Sequence, residues 1–493
     1  MSLGTRPARV ASTGALLFSL VLCGCQGLVN GTTPTTTPPP PATLQSINHI
    51  IFMAQENRSF DSYFGQLPAY WAANGYSQTA DGLPANASNP TVDGTGTINA
   101  YHVATVCTEN TTPSWDESHI DWNRQNPSSS TATLDGFVYN AAEFAIHSNT
   151  AGANPPYADV TGKRAMGYYD WTDLNYYYFM ASNFATSDRW FSPIMDRTQL
   201  NRMYLFAATS HGYVYPPGTD AQDNGPINVP TIFDELNTAG VSWKIYATDN
   251  SCTSVPTGDS RTAALQRDAT ARPNSSGACT YLTQFASYTS SIPANVVPAT
   301  QFLSDAKGGT LPSVAFIETG YLSGQDEHPS SGTNIQNGAT YVESLINGLM
   351  SSPSWKDSVF ILTYDEAGGL YDHVPPMAAV NPDGIAPVDL QPNDICTSPN
   401  GAVDCNFDRS GFRVPLIVVS PYTKKNYVSH TPADYTAILK FIETRFKVPA
   451  LTKRDAAQMD MTEFFDFQNV PWATPPTNIP AQATGGVCNS GLE

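Results

Sequence analysis

Two apolar segments far apart in the chain end in the same way, and this pairing constrains the fold more than any other feature. In LQSINHIIFMAQENRSFDSYFG (residues 44–65), Ile47, Ile50, Ile51, Phe52 and Met53 are followed at once by Glu56, Asn57, Arg58 and Asp61. The apolar run reads as a buried strand, and open α/β sheets place their ligands at the carboxyl ends of such strands. In SVFILTYDEAGGLYDHVPPM, the β-branched and aromatic run Ser358 to Tyr364 ends on Asp365 and Glu366; Gly368 and Gly369 then permit a tight turn before Asp372 and His373. Adjacent carboxylates repel unless a cation, a base or a proton stands between them, and oxygen-rich sets suit hard or borderline divalent ions. Taken singly, either segment also fits a capped turn, with Asp372 and His373 as a plain ion pair.

Between these segments the chain alternates in the α/β manner. The apolar spacing predicts helices over Thr198–Ser210, Thr231–Ala239, Ala339–Met350 and Ala433–Phe446, and strands over Val241–Ala247, Ser313–Ile317 and Val414–Ser420. A mostly parallel, helix-covered sheet follows. Residues 66–160 and 248–300 are rich in Ser, Thr, Asn, Gly and Pro, and long loops of that kind in a compact domain build lids or pocket walls. His49, just inside the first strand, reads as a satisfied core residue.

Charge narrows the partners. With 24 basic against 43 acidic residues the net charge is −19, so no segment supplies the basic footprint that nucleic-acid binding needs. The amino terminus reads as an export signal. Arg6 and Arg9 precede the apolar run Val10–Leu22, and Leu22-Cys23-Gly24-Cys25 has the form of a lipobox, with Cys25 the lipidated residue and residues 1–25 the signal peptide. Simple signal-peptide cleavage nearby is the alternative; the run is too short for a transmembrane helix, which needs ~20 apolar residues. A Pro/Thr-rich linker over 26–43 follows, in which GTTPTTTPPPP would stay extended. Six further cysteines suit an oxidising compartment, with local pairs Cys252–Cys279 and Cys396–Cys405 expected. No CxxC spacing points to structural zinc.

The chain lacks a GxSxG elbow, an HExxH helix and a P-loop, which removes serine esterases, zinc peptidases and P-loop nucleotidases. Instead, SDRWFSPIMDRTQLNRMYLFAATSHG places Thr198 just ahead of an apolar helical pattern. A hydroxyl at a helix start has the positive helix end and free N–H groups beside it, which suits an incoming phosphate. A plain N-cap uses the same residue type at the same place.

Together these segments resemble the phosphoesterase family of bacterial non-specific phospholipases C, related plant enzymes and acid phosphatases. The marks are ENRSFDSYFG (56–65), LDGFV (134–138), MGYYD (166–170), TQLNR (198–202), DEHPSSG (326–332), YDEAGGLYDHVPP (364–376), GFRVPLIVVSPY (411–422) and RDAAQMDMTEFFDF (454–467). One departure is Leu200, where the family often has proline. The resemblance implies an alkaline-phosphatase-like α/β sandwich: a central, mostly parallel sheet flanked by helices, with long loop insertions forming a lid. It sets a catalytic domain at 44–470 and a tail at 471–493. It further implies a divalent metal ion of unspecified identity held by Glu56, Asn57, Thr198, Asp365 and Glu366, with Thr198 the nucleophile passing through a phosphothreonine. His328, His119 and His373 would line the reacting phosphate. Asn201 and Arg202 would face substrate; salt bridges to Asp61 or Asp196 are the alternative for Arg202 and Arg58. The implied activity is an exported phospholipase C acting on phosphatidylcholine-type lipids, anchored to the membrane through Cys25. An acid phosphatase for soluble phosphomonoesters and a non-catalytic surface lipoprotein are the alternatives.

Overall fold

Eight strands build one sheet in the computed structural model: β1 (His49–Gln55), β2 (Ala185–Ser187), β3 (Trp243–Ala247), β4 (Val296–Pro298), β5 (Val314–Glu318), β6 (Ser358–Tyr364), β7 (Ile417–Val419) and β8 (Tyr427–Ser429). Their order across the sheet is β8-β2-β7-β6-β1-β5-β3-β4, and only β7 runs antiparallel to its neighbours. The structure describes residues 42–216, 226–249, 280–288, 293–320, 323–330, 333–397, 405–488 and 491–492. The signal peptide, Cys25, the linker to Pro41 and the Cys252–Cys279 pair therefore lie outside the described residues, as does much of 248–300.

The apolar runs explain the sheet's centre. β1 pairs parallel with β6 on one side and β5 on the other, so both of its faces are covered, and Ile50 to Ala54 are wholly buried. β6 is buried throughout, which is why it reads as a continuous apolar run and not as an alternating one. His49 is half-buried, its Nδ1 2.9 Å from the Pro312 carbonyl.

Helices Thr198–Ala207, Ile232–Ala239 and Ile335–Met350 form where apolar spacing places them, and the expected mostly parallel α/β sheet is present. The stretch expected to be helical from Ala433 differs at its start. Ala433–Asp434 pairs with Trp190–Phe191, and Asp434 accepts from Arg454, so the helix begins at Ala437. Residues 66–160 are more than loop. They contain helices Leu67–Asn74, Trp115–Trp122 and Phe137–Thr150, the last docked through Phe137, Val138, Ala141, Ala142 and Ala145.

The tail is packed onto this domain. Val106 N–H donates to Val487 O and Ala104 N–H to Leu492 O, the Trp472 ring lies 4.8 Å from that of Phe184, and Cys488 is bonded to Cys107. That long-range disulfide was not foreseen; the local Cys396–Cys405 bond was, and it is present. Among the described residues no helix is long and apolar enough to cross a membrane.

Candidate active site

Strand register assembles the site. Gln55 of β1 stands opposite Tyr364 of β6, so Glu56-Asn57 and Asp365-Glu366 leave the sheet side by side. Asn57 N–H donates to Asp365 Oδ1 at 3.0 Å, Glu366 N–H donates to the same oxygen at 2.7 Å, and Arg58 N–H donates to Glu366 O at 3.0 Å. Asn57 holds a left-handed φ of 58°, a conformation uncommon outside glycine and concentrated at functional sites. Gly368 closes over it with φ 71°, where an added Cβ would stand 2.5 Å from Asn57 O.

Thr198 is the first residue of its helix and not the cap, which is Arg197. Its side chain is therefore released from capping, and Oγ1 lies 3.4 Å from Asn57 Oδ1. Asn57, Thr198 and His328 share the wall of a cavity of about 440 Å³. The rest of that wall includes Asn110, Thr111, Thr112, Ser114, Phe144, Ser148, Tyr157, Arg197 and Gln199. Most of these come from the 66–160 segment, whose composition marked it as a pocket wall without singling out any residue.

Four of the residues expected at the site have their side chains away from this cavity wall. Arg202 does not reach the cavity: it is fully buried, and its Nη2 donates to Glu56 Oε1 and to Ala54 O, both at 3.0 Å. Its Nε is 3.4 Å from Asp365 Oδ2, so its partners are the site's own acids and not Asp61 or Asp196. Asn201 accepts from Ile194 N–H and donates to Asp196 O, bracing the turn ahead of Thr198. His119 lines a different cavity, of about 160 Å³, with Trp122, Met195 and Arg409. Its Nδ1–H donates to Trp115 O, and burial holds its pKa down to about 4, so it stays neutral. His373 lies between Asp61 Oδ2 (2.7 Å) and Asp81 Oδ1 (3.1 Å), within a buried network in which Arg413 pairs with Asp61 and Asp372. The resemblance implied roles for these residues, but a sequence match does not say which way a side chain points. Arg58 is likewise structural, donating through Nε and Nη2 to Glu327 O.

The donor set fits a hard or borderline cation. Glu56, Asp365 and Glu366 are buried carboxylates, the first two beside the Arg202 guanidinium, and Asp365 Oδ2 and Glu366 Oε1 have no hydrogen-bond partner among the described residues. Asn57 Oδ1 and Thr198 Oγ1 complete an all-oxygen set. Burial first, then the neighbouring Asp365, pushes the Glu366 carboxyl well up. Behind Glu366, Asp121 and Asp196 line a small cavity, and burial raises both of them as well. Among the described residues, the acid and histidine groups whose ligand atoms lie within 4.8 Å of one another are elsewhere: Asp61–Asp372–His373, His102–Asp170–Asp173, and His119 beside the Cys396–Cys405 sulfurs. The first is already neutralised by Arg413.

Sequence reading missed Glu327. Its carboxyl is fully buried, accepts from the Tyr177 and Tyr364 hydroxyls and from Gln55 Nε2, and is raised by burial to about 7. Only its place in the DEHP motif hinted at it.

Comparison with known proteins agrees with these motifs. Phospholipase C B of Mycobacterium tuberculosis is 30% identical over 87% of this chain and 80% of its own length. The hemolytic phospholipase C of Pseudomonas aeruginosa is 28% identical over 93% of this chain and 62% of its own. Non-specific phospholipase C1 of Arabidopsis thaliana is 32% identical over 62% and 53%. Among solved structures, an alkaline phosphatase superfamily protein from Vibrio parahaemolyticus aligns over 80% of this chain and 78% of its own at 12% identity, with a TM-score of 0.29. The phosphoesterase family model matches residues 47–449, and the chain belongs to the phosphoesterase family.

Proposed function

We propose that the chain is an exported, metal-dependent phosphoric ester hydrolase working as a phospholipase C on phosphatidylcholine-type lipids, with Thr198 as nucleophile. The observation that carries this reading is the placement of Thr198 Oγ1: at the first position of a helix, 3.4 Å from Asn57 Oδ1, and open to a 440 Å³ cavity. Membership of a family whose similar members are named phospholipases C supplies the reaction class.

The chain's own groups then divide the work. The free N–H groups and positive end of the Thr198–Ala207 helix hold the phosphate. Thr198 gives up its hydroxyl proton to solvent and attacks phosphorus through Oγ1, the bond to the leaving alcohol breaks, and a phosphothreonine is left for water to hydrolyse. His328, in the cavity wall, gives the alcohol its proton and later takes one from the water. A divalent ion, when bound by Glu56, Asn57, Asp365 and Glu366, supplies the charge neutralisation that makes a threonine hydroxyl nucleophilic near neutral pH. Arg202 holds Glu56 and Asp365 in place. The lipobox reading at Cys25 supports a membrane anchor, and the net charge of −19 disfavours nucleic acid.

A second reading, acid phosphatase action on soluble phosphomonoesters, is favoured by the hydroxyl and amide character of the cavity wall. Hydrolysis of phosphatidylcholine and p-nitrophenyl phosphate by wild type and Thr198→Ala, across about pH 5–8, separates the readings. Diacylglycerol release that the variant loses is the expected result. Phosphomonoester cleavage alone moves the assignment to phosphatase, and no turnover of either by metal-loaded protein leaves a surface-binding lipoprotein.

A further inference from the structure

We propose that Glu327 is a positioning residue whose buried side chain fixes the turn presenting His328 to the two strand ends presenting the acids. The inference rests on the reading of His328 as the group that handles the leaving-group proton.

Glu327 Oε1 accepts from Tyr177 OH at 2.5 Å and from Gln55 Nε2 at 3.2 Å, and Oε2 accepts from Tyr364 OH at 2.8 Å. Gln55 and Tyr364 are register partners on β1 and β6, each one residue before an acid of the site, Glu56 and Asp365. One carboxyl group therefore grips both strands where they deliver the acids. The backbone is tied as well: Glu56 N–H donates to Asp326 O, Arg58 donates twice to Glu327 O, and His328 N–H donates to Asp326 Oδ1. Glu327 has φ 70°, which sends its side chain down into the core while the next residue, His328, turns to the cavity wall. The helix Ile335–Met350 accommodates it with a glycine, since a Cβ on Gly338 would stand 2.2 Å from Glu327 Cγ. A buried carboxyl group is a poor way to fill a core, so its use here, ringed by donors, points to placement and not to packing.

The test is a double-mutant cycle of Glu327→Gln and His328→Ala in the full chain, read as kcat, KM, the pH profile of kcat and Tm on p-nitrophenyl phosphate or whichever ester the wild type turns over. Glu327→Gln is expected to lower kcat roughly tenfold to a hundredfold with KM little changed and to shift the limb of the pH profile that His328→Ala abolishes. In the His328→Ala background it is expected to cost nothing further. Multiplying losses, or wild-type kcat in Glu327→Gln, would overturn the proposal while leaving His328 in its role. Full activity in His328→Ala would instead overturn the role of His328, and the proposal with it. Where Glu327→Gln fails to fold, Tyr177→Phe removes a single hydroxyl donor and is held to the same two outcomes.

Discussion

The Arg202 guanidinium and the Glu56 carboxylate form a wholly buried ion pair, with 3.0 Å between Nη2 and Oε1. Asp365 shares the same guanidinium at 3.4 Å. Removing one partner of such a set leaves uncompensated charge out of water. Arg202→Met is therefore expected to destabilise the fold by about 3–5 kcal/mol, measured by urea unfolding, with Arg202→Lys intermediate because a point charge cannot face two carboxylates at once. An unchanged midpoint in Arg202→Met would show that the acids are neutralised in some other way.

Chelation provides a second check. Dialysis against a chelator is expected to abolish turnover and lower Tm, since an ion that binds only the folded state stabilises it by mass action. Adding back a single divalent metal should restore both. Asp365→Asn should weaken metal uptake at least about tenfold, read as metal content after desalting. Equal metal content in variant and wild type would remove Asp365 from the ligand set.

Gly368 and Gly75 form a matched pair for testing backbone strain. Both have left-handed φ, 71° and 75°, but an added Cβ meets Asn57 O at 2.5 Å in the first case and open space in the second. Gly75→Ala is expected to cost about 1 kcal/mol from the conformation alone. Gly368→Ala should cost about 1–3 kcal/mol and also lower activity, because Asn57 must move. Equal activity in the two variants would show that the Asn57 position is not critical.

Stability should depend on pH through Glu443, outside the site. Burial first, then Asp455 beside it, pushes this carboxyl up to about 9. The folded state thus keeps a proton that the unfolded state loses near its ordinary value of about 4.3. The stability associated with that proton is complete below the unfolded value and declines as pH rises toward about 9. Glu443→Gln, which cannot ionise, is expected to gain on wild type as pH rises through this window, by about 1 kcal/mol or more at the upper end. A difference between the two that does not vary with pH would contradict this.

Much of the fold was legible in the chain. The apolar runs ending at Gln55 and Tyr364 marked the two central strands, and the acids after them marked the sheet end where a site forms. Helix Thr198–Ala207 followed from its own spacing, though its end did not: Ala208 turns to φ 56° where the pattern ran on to Ser210. Side-chain direction was less accessible. The family resemblance put His119 and His373 at the phosphate, yet one faces a separate cavity and the other a carboxylate pair.

What the sequence alone determined is local: the strand and helix periods, the acids that end two strands, the hydroxyl that opens a helix, and the family to which those motifs belong. Tertiary structure decided the rest, because it depends on contacts between residues hundreds of positions apart. Parallel register set Asn57 against Asp365 across 308 positions, and it turned Arg202 away from the cavity toward the acids it neutralises. It also placed Glu327 beneath both strand ends, where no local pattern could have located it.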